Sequence, residues 1–335
     1  MKNKYYVIPI FIPEKACPFR CVYCNQYHIT NKEKALHPSN VDEIIRKYLD
    51  TFPEGGIRRV AFFGGSFTGM PIDEQNQYLD VVQPYMRKGA IESVQISTRP
   101  DYINEAILDN LVKKNVGIVE LGAQSLDDDV LRAAKRGHDA AAVCRAARMI
   151  KTYPIQLGLQ MMIGLPGDDR EKSLATAEKI VALGADYVRI YPTLVIKDTE
   201  LEKKYLSGGY QPLTLEEAVA WCKDLMLYFE RHKVTILRIG LHPSEGLING
   251  TTLSAGPFHP SFKELALSGV WRDIMYNSFH NKSGNKLTVY VSQKDINMAI
   301  GHCSENRKWL RESFKTIQFM SDNTLESYQM NWVIS

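Results

Sequence analysis

The chain has 335 residues, 44% hydrophobic and 24% charged, proportions that suit a folded protein with a sizeable core and exclude a disordered or fibrous one. Its 41 basic and 38 acidic side chains leave a net charge of +3, which neither announces nor excludes a nucleic-acid binder. No apolar run approaches the roughly 18 residues of a membrane helix. The apolar stretch Tyr5–Pro13 is broken by Pro9 and runs directly into cysteines, so no cleaved signal peptide and no membrane contact are expected, and the expected location is cytoplasmic.

In chain order, strands are expected at Tyr5–Phe11, Arg58–Phe63, Ser93–Thr98, Gly117–Leu121, Gln156–Met162 and Tyr187–Tyr191. Each is nearly continuously apolar or β-branched, the pattern of parallel strands buried on both faces. Amphipathic helices are expected between them at Val41–Thr51, Asp73–Met86, Asn104–Lys114, Asp139–Thr152 and Glu171–Leu183. Ser39 or Asn40 can cap the first, and Pro71 suits the first turn of the second. A long helix, Leu215–His232, and a seventh strand, Val234–Leu241, follow. Six βα units in series predict a partial (β/α)6 TIM-like barrel with a small α/β carboxyl-terminal extension. The expected division is a barrel over 1–242, a linker with crossing helices over 243–283, and a small α/β unit over 284–335. The proline- and glycine-rich stretch Pro243–Pro260 reads as linker or crossing loop.

Chemistry in such a barrel sits beyond the carboxyl ends of the strands. There the sequence places Cys17–Cys24, Gly64-Gly65-Ser66, Thr98-Arg99-Pro100, Gln124-Ser125, Gly164–Gly167 and Pro192-Thr193. Cys17, Cys21 and Cys24 form a Cys-x3-Cys-x2-Cys cluster, while Cys144, Cys222 and Cys303 are scattered and read as small hydrophobes. Three close thiolates suit three corners of a [4Fe–4S] cluster with one iron left open. The competing reading is structural zinc, with His28 completing a Cys3His set. We favour iron–sulfur, because structural zinc staples domains that lack a core, whereas this cluster hangs from a barrel strand.

The triad, with Tyr23 before its last cysteine, resembles the radical S-adenosylmethionine (SAM) superfamily. The resemblance extends through Phe63-Gly64-Gly65-Ser66-Phe67, Thr98-Arg99-Pro100-Asp101, Glu120–Ser125, Arg136-Gly137-His138 and Tyr191-Pro192-Thr193. These resemble the radical domain of the Elongator catalytic subunit and, more distantly, oxygen-independent coproporphyrinogen oxidases. The resemblance implies that Cys17, Cys21 and Cys24 hold the cluster and that its open iron takes the methionine part of SAM. It implies that Gly64 and Gly65 let the backbone approach the amino group, and that Arg136 binds the carboxylate. It places Ser66, Ser97, Gln124, Gln160 and Gly164 among the SAM contacts, with Tyr23 and the Gly164–Gly167 turn on the adenine side. Ser97 stands where relatives carry a ribose-binding glutamate, and Ser66 where many carry an acid. The implied reaction is reductive cleavage of SAM to a 5′-deoxyadenosyl radical, fed by a donor such as flavodoxin or ferredoxin, with tRNA or another RNA as the implied substrate.

Two departures bear on that substrate. The Elongator relatives carry an acetyltransferase domain, whereas about ninety residues follow the barrel here, without a glycine-rich acyl-CoA loop. Their arginine-rich segment is replaced by Leu237–Pro243. Two alternatives therefore stand beside the RNA-modifying enzyme: a coproporphyrinogen-oxidase-like oxidoreductase on a small molecule, and a non-catalytic iron–sulfur RNA-binding protein. At the carboxyl terminus, Leu287–Val291, Lys294–Ile300, a turn opened by Gly301, a helix to Phe314 and Thr316–Met320 resemble a KH module. Ser304 replaces the closing glycine of its turn, and Arg307, Lys308 and Arg311 follow. A lid over the barrel is the favoured alternative for this unit.

Overall fold

The computed structural model describes residues 5–13, 15–18, 20–30, 36–53 and 55–335. Two compact units result, one of Met1–Thr214 with Tyr228–Phe258 and one of Leu215–Leu227 with His259–Ser335.

The first unit is built on a seven-stranded parallel sheet, curled as a partial barrel. Its strands are β1 (Tyr5–Ile12), β2 (Ile57–Gly64), β3 (Ser93–Thr98), β4 (Val116–Gln124), β5 (Gln156–Ile163), β6 (Tyr187–Pro192) and, after the two-residue β7 (Val195–Ile196), β8 (Thr235–Ile239). The order is β1-β2-β3-β4-β5-β6-β8, so each βα unit lays its strand beside the previous one. The predicted barrel is thus present, with the seventh candidate strand joining the sheet. One face of each of the first six strands of the sheet is apolar and fully buried: Ile8 and Ile10, Val60 and Phe62, Val94 and Ile96, Val119 and Leu121, Leu157 and Leu159, Val188 and Ile190. Helices α2 (Val41–Leu49), α3 (Ile72–Arg87), α4 (Glu105–Lys113), α6 (Ala140–Ile150) and α7 (Arg170–Ala182) contribute Ile45, Leu79, Leu108, Val143 and Ile180 to the same core. Burying one such side chain stabilises the fold by about 1.5–3 kcal/mol.

The opposite, lumenal face departs from the branched aliphatic filling usual in such barrels. It carries Glu120 on β4 and Arg189 on β6, joined by two hydrogen bonds of 2.5 and 3.0 Å from Nε and Nη2. The Arg189 guanidinium also lies 4.9 Å from the centre of the Phe63 ring on β2. On β5, between them, Gly158 pairs in register with Glu120. A Cβ at Gly158 would stand 2.6 Å from Glu120 Cγ, so the missing side chain is what admits the ion pair.

Several local expectations are corrected. Neither Ser39 nor Asn40 caps α2 through its side chain; a 3-10 turn, Pro38–Asn40, precedes it and is capped by His37. Pro71 occupies the cap position of α3 and not its first turn. The stretch expected as a linker, Pro243–Pro260, folds instead: it contains α10 (Glu245–Ile248) and β9 (Leu253–Ala255), and β9 pairs antiparallel with β7. Leu247, Leu194 and Ile196 form a small core there. The glycines and prolines that suggested a linker end these short elements, with Gly250 and Gly256 at positive φ.

In the second unit α11 (Phe262–Phe279) packs Trp271, Met275 and Phe279 on Leu287, Val289 and Val291 of β10 (Gly284–Val291). Next come α12 (Ile296–Ile300), α13 (Glu305–Leu310), β11 (Phe314–Ser321) and β12 (Met330–Ile334). Strands β10 and β11 run parallel, and β12 pairs antiparallel on the other side of β10. The expected order β-α-turn-α-β is present. In the turn, however, the His302 amide donates to Ser268 Oγ at 2.7 Å and Asn306 Nδ2 donates to the Ser268 carbonyl at 2.9 Å, tying it to α11.

Candidate active site

The cysteine loop leaves β1 and is fixed by the turn after β2. Gly65 N–H donates to the Ile12 carbonyl at 2.8 Å and Ser66 N–H to the Lys15 carbonyl at 2.9 Å. A Cβ at Gly65 would lie 2.0 Å from Lys15 O, and one at Gly64, where φ is +112°, 2.8 Å from Ile12 O. Backbone lies on backbone here, which only residues without Cβ permit. Gln26, two residues after Cys24, adds a hydrogen bond of 2.9 Å from Nε2 to the Gly64 carbonyl. Ser66, nearly fully buried, brings its Oγ to 3.7 Å from Cys17 Sγ. Burial pushes the Cys17 thiol up, and the Ser66 contact opposes that shift.

Arg136 meets this loop from the turn after α5 (Asp128–Ala133). The residue is buried, and each nitrogen of its fork has an acceptor. Nη1 donates to Cys21 Sγ at 3.2 Å, Nη2 to the Gly122 carbonyl at 2.7 Å, and Nε to His138 Nε2 at 3.3 Å. Burial disfavours its charge, but Tyr23 and Cys21 outweigh that cost and hold it firmly protonated. The imidazole of His138 is pushed down to about 4, by burial first and by the Arg136 charge second. Gly122 makes the room, because a Cβ there would stand 2.9 Å from Gln124 Nε2 and 3.2 Å from Arg136 Nη2.

Gln124 ends β4 in a left-handed conformation, φ 67°, just beyond an irregularity in the β4–β5 register. Its Oε1 accepts from Gln160 Nε2 at 3.1 Å. A non-glycine residue strained at a strand end often marks a functional position. Ser97 stands in register with Glu120 one strand away. At the carboxyl ends of β1–β5 the expected residues thus fall into three contacting groups: Cys17 with Ser66, Cys21 with Arg136, and Gln124 with Gln160.

Tyr23 and Gly164 lie to one side. Tyr23 is buried with Cys21, Val22, Leu165 and Leu201. Burial raises its phenol well above the ordinary range, with Arg136 opposing and Cys21 and Cys24 adding to the shift. Gly164 gives its N–H to Asp168 Oδ2 at 2.8 Å, and its carbonyl accepts from Tyr210 Oη at 2.6 Å. A cavity of about 300 Å³ opens here, lined by Gly164–Asp168, Gly209–Gln211 and Leu213. Burial raises Asp168 to about 6, against hydrogen bonds from Ser173 and Gly164.

His28, the fourth ligand of the zinc reading, turns its Nε2 toward Asp198 Oδ2 at 3.7 Å. Among the described residues no three His, Cys, Asp or Glu side chains converge on one ion. A cubane binds each cysteine to a different iron, so its thiolates need no common focus. The donor set fits a cluster: soft thiols on one loop, a buried Tyr23 hydroxyl without a well-formed partner among the described residues, and a cation at Cys21. Sequence reasoning gave no role to Gly122, Gln26, Asp168 or His138. Gly122 and His138 each left a signal, the first inside the quoted Glu120–Ser125 motif and the second two residues from Arg136 in another.

The family comparison matches two profiles, Radical SAM superfamily over residues 12–180 and Radical_SAM C-terminal domain over 185–270. A tRNA uridine(34) acetyltransferase of Methanocaldococcus jannaschii is 28% identical over 221 residues, covering 59% of this chain and 38% of that protein. The protein of that name from Dehalococcoides mccartyi is 34% identical over 242 residues, covering 62% of this chain and 53% of its own length. The chain therefore spans about half or less of these relatives. The solved structure of Methanocaldococcus infernus Elp3 with an N-terminal deletion superposes with a TM-score of 0.65 at 21% identity, over 81% of this chain and 63% of that one. No described helix is long and apolar enough to cross a membrane. With the superfamily profile running from the end of β1 into α7, through the residues that build this mouth, the chain belongs to the radical SAM superfamily of enzymes.

Proposed function

We propose that the protein cleaves S-adenosylmethionine reductively at a [4Fe–4S] cluster held by Cys17, Cys21 and Cys24, and that it modifies an RNA, with tRNA the first candidate. The observation that carries the first half is the Arg136 fork, buried at the barrel mouth with one arm on Cys21 and another on Gly122. When bound and reduced, the cluster supplies the electron that breaks the sulfonium bond of SAM. The chain's own residues do the rest. Arg136 binds the methionine carboxylate by charge-assisted hydrogen bonds. The Gly64-Gly65-Ser66 turn fixes the cysteine loop, and Ser97, Gln124 and Gln160 present polar groups to the ligand. Tyr23 and the Gly164–Gly167 turn, beside the 300 Å³ cavity, line the adenine side. The buried, apolar surroundings of Tyr23 exclude water from the radical.

Support for RNA comes from the relatives, which are named as enzymes acting on uridine 34 of tRNA. The setting is cytoplasmic, with a flavodoxin or ferredoxin as electron donor. The division of labour is a radical barrel that extends past 242 through Phe258, and a carboxyl-terminal unit that takes in α11 as well as 284–335.

Anaerobic reconstitution tests this reading. About four irons per chain are expected, the content of one cubane. Alanine at Cys17, Cys21 or Cys24 should remove them, whereas alanine at Cys144, Cys222 or Cys303 should not. Dithionite-reduced protein should release 5′-deoxyadenosine from SAM, and Arg136→Ala should weaken SAM binding about tenfold or more. Full zinc occupancy without iron would defeat the enzymatic reading. Absence of tRNA binding by the full chain at low salt would defeat the RNA half alone.

A further inference from the structure

We propose that His138 is a positioning residue for Arg136: its neutral imidazole fixes the guanidinium plane while leaving the positive charge free for a ligand carboxylate. The inference rests on the assignment of Arg136 to the methionine carboxylate. Arg136 sits between two left-handed residues, Lys135 at φ 51° and Gly137 at φ 73°. The chain reverses there, and two side chains only two positions apart face each other. Arg136 Nε donates to His138 Nε2 at 3.3 Å. That nitrogen must then carry a lone pair, and the ring proton belongs on Nδ1, which lies 3.4 Å from the Asp139 carbonyl. His138 is buried. Burial and the charges of Arg136 and Arg99 favour its neutral form, with Asp101 opposing.

The choice of acceptor follows from electrostatics. A carboxylate at this position would orient Arg136 equally well, but as an ion pair it would cancel the charge that an anionic ligand needs. The Gly122 carbonyl, at 2.7 Å from Nη2, is likewise neutral. Two uncharged acceptors therefore hold two edges of the fork. Nη1, now on Cys21 Sγ, is the arm that faces the cysteine loop. A preorganised cation of this kind loses little side-chain freedom when its anion arrives.

The test compares three variants of the full-length, reconstituted protein: His138→Phe, which keeps a ring without an acceptor; His138→Gln, a neutral acceptor; and His138→Glu, a charged one. Binding of SAM and of decarboxylated SAM is measured by equilibrium dialysis, alongside iron content. H138F should bind SAM about tenfold more weakly with unchanged iron, and its affinity for the decarboxylated analogue should match the parent. H138Q should stay within about threefold of the parent, and H138E should bind SAM at least as weakly as H138F. Equal losses for both ligands would make His138 a space-filler and overturn the proposal. Parent-like SAM affinity in H138F while R136A binds weakly would also overturn it, whereas parent-like affinity in R136A would fault the underlying assignment. Should H138F lose iron, the comparison of H138Q with H138E decides, and equal SAM affinities in those two overturn the proposal.

Discussion

Replacing Glu120 by Gln probes whether the polar lumen is held by the Glu120–Arg189 pair. Glu120 is 2% exposed, and both of its oxygens accept from Arg189, at 2.5 and 3.0 Å. The substitution keeps volume and one acceptor but leaves a guanidinium in the barrel without its anion. Removing one partner of a buried pair costs about 3–5 kcal/mol. The amide retains one hydrogen bond, and the Arg189 side chain is 13% exposed, so the lower end, about 3 kcal/mol, applies. In a unit of this size that lowers the melting temperature by about 6–12 °C. Urea unfolding of E120Q, R189M and the double variant E120M/R189M measures it. The double variant should recover to within about 1 kcal/mol of the parent, because no buried charge is left. A loss below about 1 kcal/mol in E120Q, or additive losses in the double variant, would refute the reasoning.

The remaining predictions concern pH and the cysteine loop. Asp168 has its folded pKa raised to about 6, so its contribution to stability is present below the ordinary carboxylate value and is lost as pH rises through 6. Asp168→Asn should therefore be more stable than the parent at pH 7.5, by up to about 2–3 kcal/mol, with the gain gone near pH 4. His138 slopes the other way: its folded pKa is lowered to about 4, and its contribution, full above about 6.5, is lost as pH falls toward 4. The two slopes oppose each other in the parent, so urea midpoints of D168N and H138F between pH 4 and 7.5 should diverge, and parallel curves would contradict both assignments. Gly65→Ala would force a Cβ to 2.0 Å from the Lys15 carbonyl; iron content after reconstitution should collapse, and full iron loading would show that the turn does not fix the loop.

The barrel was legible because parallel strands covered on both sides read as unbroken apolar runs, and β3 was bounded correctly from that alone. The same rule truncated β4 at Leu121, although the strand continues to Gln124. Gly122 interrupts the apolar run, and the last residue adopts a left-handed φ that no strand pattern anticipates. Strand β12 escaped notice because it is short, mostly exposed and paired along one edge. The stretch Pro243–Pro260 misled for a different reason. Strand β9 acquires its order from β7, more than fifty residues earlier, and a local reading of glycine and proline cannot see a partner that far away.

The candidate site divides along the same physical line. Residues whose chemistry is intrinsic could be picked out, the three thiols by type and spacing and Arg136 by the resemblance of the motif around it. Residues whose role is to be absent could not. The resemblance implied that Gly64 and Gly65 let the backbone approach a ligand's amino group; the nearest atoms to their missing side chains are the backbone of Ile12 and Lys15, the strand and loop that lead to Cys17, a packing role the sequence did not signal. Gly122 clears space for Arg136 and Gln124, and Gly158 for Glu120. The polar groups of the lumen sit where a neighbouring strand has given up its Cβ, since a charged or amide side chain cannot be accommodated in a close-packed interior by compression. His138 belongs to the same class, because it reaches Arg136 only through the left-handed turn at Gly137. The glycines of this mouth are thus the shape of its polar network in negative, and a bulky residue at any of them should damage the group across from it before it touches any ligand.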